Sequence, residues 1–245
     1  MTLPATAAER AATYWNAPET VRDFASLTAQ PYLVEILARY AGDLTGPALD
    51  LGCGGGRNTV ALLEHGCTVV AVDLHQAMVE ATREATAHFA DGLVTVRQGA
   101  AHAVPADDDT FALAVCYGVL HNAPTPQQFT ASIAELARVL RPGAVLALNT
   151  FTADSLDPQL RPGETAGQYV LPDDVPMTLL PTEEILAALA AVGLRPEGDV
   201  HTYVRDLDVG PRAVLRCELR LDASTGDGTG TGTGGSDGED VSRNA

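Results

Sequence analysis

The strongest constraint on this chain is a short apolar run that leads straight into a cluster of glycines. Leu49-Asp50-Leu51 passes into Gly52-Cys53-Gly54-Gly55-Gly56, and Asn58–His65 then reads as a helix. A strand, a glycine loop and a helix in that order form a ligand site at the carboxyl edge of a sheet. Glycines there allow a ligand to approach the backbone closely. The dinucleotide fingerprint needs glycine at three positions, G-x-G-x-x-G. Gly52 and Gly54 supply the first two, but the third falls on Arg57, and Gly56 makes the loop G-x-G-x-G. Asp50, just before the loop, suits a ligand with an ammonium group better than a pyrophosphate. A second acid, Asp73, ends the next strand 21 residues after Gly52. An acid at that place accepts hydrogen bonds from ribose hydroxyls, so the expected ligand is a nucleoside with a free 2′-hydroxyl.

The surrounding sequence alternates strand and helix. Strands are expected at Ala48–Leu51, Thr68–Val72, Val94–Arg97, Phe111–Tyr117 and Ala144–Asn149. Helices are expected at Gln76–His88 and Pro126–Leu140, the latter stopped by Arg141-Pro142-Gly143. Uninterrupted apolar strands between helices predict a parallel sheet covered on both faces. Phe151–Pro181 breaks the rhythm with five prolines and no clear period. Long irregular inserts in compact domains usually serve function, and Phe151, Tyr169 and Met177 are candidate substrate walls. A helix at Thr182–Val192 and a hairpin of His201–Asp206 with Val214–Arg220 follow. Upstream, Thr20–Tyr40 reads as one or two helices, and Tyr14 or Trp15 is a candidate to line the pocket. The expected organisation is a helical cap over 1–45, a domain over 46–221 with a substrate insert at 151–181, and a disordered acidic tail over 222–245.

Composition narrows the function. The net charge is −17, with fifteen arginines and no lysine. An acidic surface repels phosphate backbones, which argues against nucleic acid as partner. The missing lysine excludes a Schiff base or a Walker lysine. No run of 18 apolar residues predicts a membrane span. Met1–Arg10 does not have the form of a signal peptide, so the expected compartment is the cytoplasm. Cys53, Cys67, Cys116 and Cys217 lack metal-ligand spacing and read as small buried hydrophobes.

Asp50-Leu51-Gly52-Cys53-Gly54-Gly55-Gly56-Arg57, followed by Val72-Asp73-Leu74, resembles the class I S-adenosylmethionine-dependent methyltransferases. So do Leu120-His121 and the run Glu135-Leu136-Ala137-Arg138-Val139-Leu140-Arg141-Pro142-Gly143. The resemblance covers about Gly46 to Thr150. It implies an α/β fold with a Rossmann-like seven-stranded sheet in the order 3-2-1-4-5-7-6, the seventh strand antiparallel, and helices on both faces. It also implies S-adenosylmethionine as cofactor and a small molecule as methyl acceptor. Carried over by position, Gly52, Cys53 and Gly54 line the methionine part, with Asp50 beneath. Asp73 holds the ribose, Leu74 and Met78 flank the adenine, and Ala100 and Ala101 bound its edge. Cys116 and Tyr117 close the methionine end through backbone carbonyls. Two positions depart from many relatives: Ala100 stands where an Asp or Asn bonds the adenine amino group, and His75 stands where Ser or Thr is frequent. His75 is left to cap the next helix or face solvent.

His121, after the fourth strand, is the candidate catalytic residue. It binds substrate, acts as a general base, or packs to orient its loop. Asp107-Asp108-Asp109 reads as a solvated turn rather than a metal site, and Arg57 either pairs with Asp50 or an acidic substrate or is an ordinary first-turn helix residue. The expected reaction is in-line displacement of the methyl group. Rival readings are a non-methylating member of the same fold, holding the cofactor as scaffold or catalysing a rearrangement, and a nicotinamide-dependent oxidoreductase. Acceptor atom and oligomeric state are not fixed by the sequence.

Overall fold

A computed structural model of the chain describes residues 6–40, 45–172, 174–207 and 210–223. Its centre is a parallel sheet of β1 (Ala48–Leu51), β2 (Val69–Asp73), β3 (Val94–Gln98), β4 (Phe111–Tyr117) and β5 (Leu140–Thr152). The helices between these strands are α4 (Arg57–Glu64), α5 (Gln76–Thr86) and α6 (Pro126–Val139), preceded by α1 (Ala7–Trp15), α2 (Pro18–Ala25) and α3 (Pro31–Tyr40). Three small strands, β6 (Arg161–Pro162), β7 (Gln168–Val170) and β8 (Pro176–Thr178), lead to α7 (Thr182–Ala191). The last segments are β9 (Leu194–Pro196), β10 (His201–Arg205) and β11 (Arg212–Leu221).

The sheet runs β10-β11-β5-β4-β1-β2-β3, with β11 antiparallel to β5. With β11 as seventh strand and β10 as sixth, this is the order 3-2-1-4-5-7-6. The sixth position is split, because β9 pairs with one end of β11 and β10 with the other. Eight strand segments therefore form the sheet instead of seven. The β4 strand is buried along its whole length, as an all-apolar central strand should be.

Alternation along the strands sends side chains to two cores. Leu49, Leu51, Cys116, Leu146 and Leu148 meet Phe129, Ile133 and Leu136 of α6 and Ile185 and Leu189 of α7. On the opposite face Ala48, Val69, Leu113 and Val115 meet Leu33, Ile36 and Leu37 of α3 and Ala61, Leu62 and Leu63 of α4. By its packing α3 is thus a layer of the main domain, although it precedes residue 46. At the helix stop, Arg141–Ala144 bulges out of the ladder. Leu140 pairs with Phe111 and pairing resumes at Val145 with Leu113, Gly143 adopting φ 78°.

Two expectations change. The insert is not irregular: β6, β7 and β8 form an antiparallel sheet with its own core of Leu160, Met177 and Leu179, against which Phe151 and Tyr169 pack. The main domain also holds Asp222, whose N–H donates to the Gly193 carbonyl at 2.9 Å and whose carboxylate pairs with Arg195. Most of the expected tail, 224–245, lies outside the described residues. All four cysteines are buried free thiols. Among the described residues no helix is long and apolar enough to cross a membrane. Phe129 is fully enclosed between α6 and the sheet. Phe129→Ala should therefore cost about 3–5 kcal/mol, the range for emptying a buried aromatic position, measured by denaturant unfolding.

Candidate active site

A cavity of about 560 Å³ opens at the carboxyl ends of β1, β2 and β4. Its floor is the glycine loop. Gly52 has φ 71°, and a Cβ there would lie 2.2 Å from a methyl of Val119. A side chain is thus excluded both by backbone conformation and by contact. The N–H groups of Gly52 and Cys53 donate to the Val72 carbonyl at 2.7 and 3.1 Å, fastening the loop to β2.

Asp73 makes the second fastening. Its Oδ2 accepts the Gly54 N–H at 3.0 Å and its Oδ1 accepts the His75 N–H at 2.9 Å. Burial raises its pKa, while those two donors pull it down. From α5, the Thr82 hydroxyl donates to the Gly54 carbonyl at 2.8 Å. Asp50 is fully enclosed beneath the loop and is not a cavity wall. Its Oδ2 accepts the Thr59 hydroxyl at 2.6 Å, while its Oδ1 has no hydrogen-bond partner. Burial pushes its pKa up to about 6.

Gly52, Cys53, Gly54, Asp73, Leu74, Met78, Ala100, Ala101 and Tyr117 all line this one cavity. Cys116 does not: it is buried one residue before Tyr117, with its side chain in the α6 core. Burial raises the pKa of both Cys53 and Cys116, so both remain protonated thiols. Opposite the floor lies α1, which presents Ala8, Ala11, Ala12 and Trp15 on one helical face. Trp15 meets Phe24 edge-on at 5.2 Å and stacks on the His75 ring at 6.1 Å. His75 therefore neither caps α5 through its side chain nor simply faces solvent. Asn16 ties the lid down, its Oδ1 accepting the Ala77 N–H at 3.1 Å. α2 sits directly on the loop, since a Cβ at Gly55 would lie 2.4 Å from the Ala25 nitrogen. Tyr14 points out of the cavity and is 46% exposed.

His121 is buried and absent from the cavity wall. Its Nδ1 accepts the Phe151 N–H at 3.1 Å and lies 3.2 Å from the Thr150 hydroxyl, and its ring packs on Phe151 at 4.1 Å. Burial, then the Arg212 charge, lowers its pKa to about 3. An imidazole so weakly basic and so enclosed packs and orients; it does not reach a substrate in the cavity. Phe151, Tyr169 and Met177, expected as substrate walls, serve the insert's own core instead, and among the described residues of the insert only Pro176 reaches the cavity. In the aspartate turn, Asp108 pairs with Arg138 and Asp109 adopts φ 51°.

Sequence reasoning missed α1 and its alanines. The signal was present: Thr6 and Glu9 form a capping box, with Thr6 Oγ1 accepting the Glu9 N–H at 3.2 Å and Glu9 accepting the Thr6 N–H at 2.7 Å. Arg57, which the sequence left open to Asp50 or an acidic substrate, lines the cavity together with Asn58, which the sequence did not single out. Nothing in a helix's first turn distinguishes such residues from ordinary ones until the neighbouring strands are in place.

Comparison with known proteins agrees with this geometry. The family described as "Methyltransferase domain" matches residues 49–148. The malonyl-[acyl-carrier protein] O-methyltransferase of Enterobacter lignolyticus is 36% identical over 51% of this chain and 47% of its own length. The chain thus spans about half the length of the curated relatives it matches. In fold, it is similar to a Burkholderia thailandensis 1,6-didemethyltoxoflavin-N1-methyltransferase solved with bound 1,6-didemethyltoxoflavin and S-adenosylhomocysteine. The TM-score is 0.64 at 19% identity, covering 91% of this chain and 93% of that one. It is also similar to an S-adenosylmethionine-dependent methyltransferase from Methanosarcina mazei, with TM-score 0.64 and 18% identity, covering 80% and 99%.

Two outcomes follow from the geometry. Gly55→Ala should push α2 off the loop and make the segment before residue 31 cleave faster in limited proteolysis. His121 has a folded pKa of about 3, below its ordinary 6.5. The unfolded state therefore binds the proton more readily, so stability is full above about pH 6.5 and falls as pH drops toward 3. Denaturant midpoints across that window should fall less steeply for His121→Gln than for the wild type.

Proposed function

We propose that this chain, whose residues 49–148 match the family described as a methyltransferase domain, is a class I S-adenosylmethionine-dependent enzyme that transfers the cofactor's methyl group to a small molecule by in-line displacement. The observation that carries this reading is Asp73, a buried carboxylate at the cavity wall, hydrogen-bonded to a glycine loop in which Gly52 and Gly55 admit no side chain. These residues fit the cofactor. The Asp73 oxygens keep lone pairs for ribose hydroxyls, and Leu74, Met78, Ala100 and Ala101 offer a small apolar slot for a base. The unpartnered Oδ1 of Asp50 places negative potential beneath the loop, where an ammonium group would lie.

Bound there, the cofactor supplies a methyl group already made electrophilic by its sulfonium. The chain's own contribution is placement. Asp73, the Gly52–Gly54 backbone and Tyr117 fix one partner, Val119 and the α1 alanines bound the space left for the other, and the lid keeps water out. His121, bonded to the Phe151 N–H and absent from the cavity wall, is badly placed for proton transfer, which favours an acceptor that is already nucleophilic.

Asp73→Ala should weaken adenosylhomocysteine binding by about 1–3 kcal/mol, the usual cost of losing hydrogen bonds to a charged group. Titration calorimetry would measure it, and an unchanged affinity would mean that the ribose is held elsewhere. Formation of adenosylhomocysteine on supplying candidate acceptors tests the reaction itself. Tight binding of a nicotinamide cofactor without adenosylhomocysteine binding would overturn the reading.

A further inference from the structure

We infer that the Arg57 guanidinium pairs with the terminal carboxylate of the adenosylmethionine cofactor, so that Arg57 selects ligands with an intact amino-acid tail. The inference deepens the methyl-transfer reading and rests on it.

Arg57 follows the glycine loop directly and opens α4. It lines the cavity, and among the described residues it is the only arginine that does so. The chain contains no lysine, so Arg57 is the one permanent cation on the described wall. No hydrogen bond or ion pair joins it to a described residue, and the pairing with Asp50 that the sequence left open is not made. Burial lowers its pKa, Asp50 opposes that shift, and the like charge of Arg205 at the end of β10 adds to it. A half-buried guanidinium beside a second positive charge is stabilised by an anion.

Strand order gives the direction of the ligand. β2 and β4 flank β1 on opposite sides. Asp73, the expected ribose partner, ends β2. Tyr117, at the expected methionine end, closes β4, and the Arg57 charge interacts with it. A ligand whose ribose rests at Asp73 and whose tail crosses the Gly52–Gly54 loop therefore arrives at Arg57. The two histidines of the cavity wall, His75 and His102, follow β2 and β3 and flank the nucleoside instead.

The tail carries its ammonium and its carboxylate on one carbon. The groups that hold them must therefore be neighbours of opposite charge. Asp50, with its unpaired Oδ1, lies beneath the start of the loop and Arg57 stands at its end, each within the field of the other. No side chain caps α4 and its first turn holds no acid, so the positive end of the helix acts together with the guanidinium. A guanidinium presents parallel N–H donors matched to both carboxylate oxygens. In a chain of net charge −17, a carboxylate without such a partner is repelled. Holding the tail by its carboxylate also fixes the sulfur, which makes Arg57 a positioning residue for the transfer.

Trp15 is the chain's only tryptophan and lines the cavity, so its fluorescence reports binding directly. Adenosylhomocysteine should be titrated beside its decarboxylated analogue, the same thioether with a 3-aminopropyl tail. The wild type should bind adenosylhomocysteine about tenfold tighter, the scale of one charge-assisted hydrogen bond. Arg57→Gln should erase that preference by weakening adenosylhomocysteine about tenfold while leaving the affinity for the analogue undiminished. Arg57→Lys should keep part of the preference, because it retains the charge without the planar fork. Equal binding of the two ligands by the wild type would overturn the proposal before any variant is made. So would Arg57→Gln weakening both ligands alike, since the side chain would then support the loop and not read the carboxylate, and so would its weakening neither. Failure of the wild type to bind adenosylhomocysteine at all would instead sink the methyl-transfer reading itself.

Discussion

The site depends on one carboxylate held between two backbone donors. Asp73 ends β2, yet its hydrogen bonds reach forward to His75 at the start of α5 and back to Gly54 in the loop after β1. Enclosing a charge is costly unless it is hydrogen-bonded, and these two N–H groups offset that cost while locking two crossovers together. Thr82 adds a second tie from α5 to the same loop. The lid inherits this rigidity, because Asn16 and Trp15 rest on Ala77 and His75, just beyond Asp73.

Much of the central sheet was legible because its strands are short apolar runs bounded by glycine, proline and polar turns. The glycine-loop wall of the cavity was legible too, since a glycine that must adopt positive φ and an acid at a strand end are local properties of the sequence. What stayed hidden depends on distant partners. His121 looks available at the end of β4, but β5 folds Thr150 and Phe151 over it. Met177 and Tyr169 look like spare hydrophobes until β6, β7 and β8 pair and consume them. The cavity face of α1 is made largely of alanines, which read equally well as surface or core, although its capping box declares its start.

The two halves of the cavity are consequently built on different terms. The sheet edge and its glycines form the half that suits the nucleoside, where small backbone shifts would be felt. The other half is assembled from α1, the first turn of α4, the segment after β4 and a single proline of the insert. Alanines on α1 set its depth by being small. Substitutions there can change what is admitted without disturbing the glycine loop.

The broken sixth strand has a consequence for the molecule among its neighbours. β9 and β10 divide the outer edge of the sheet into pieces of three and five residues, separated by a turn in which Gly198 adopts φ 92°. Tyr203 and Val204 are exposed on the longer piece, and a continuous edge of that kind invites another chain to add a strand. The interruption leaves no long straight row of free donors and acceptors to template such pairing. Strong net negative charge then repels like copies at a distance. Edge geometry and surface charge act together as protection against association through this side of the sheet.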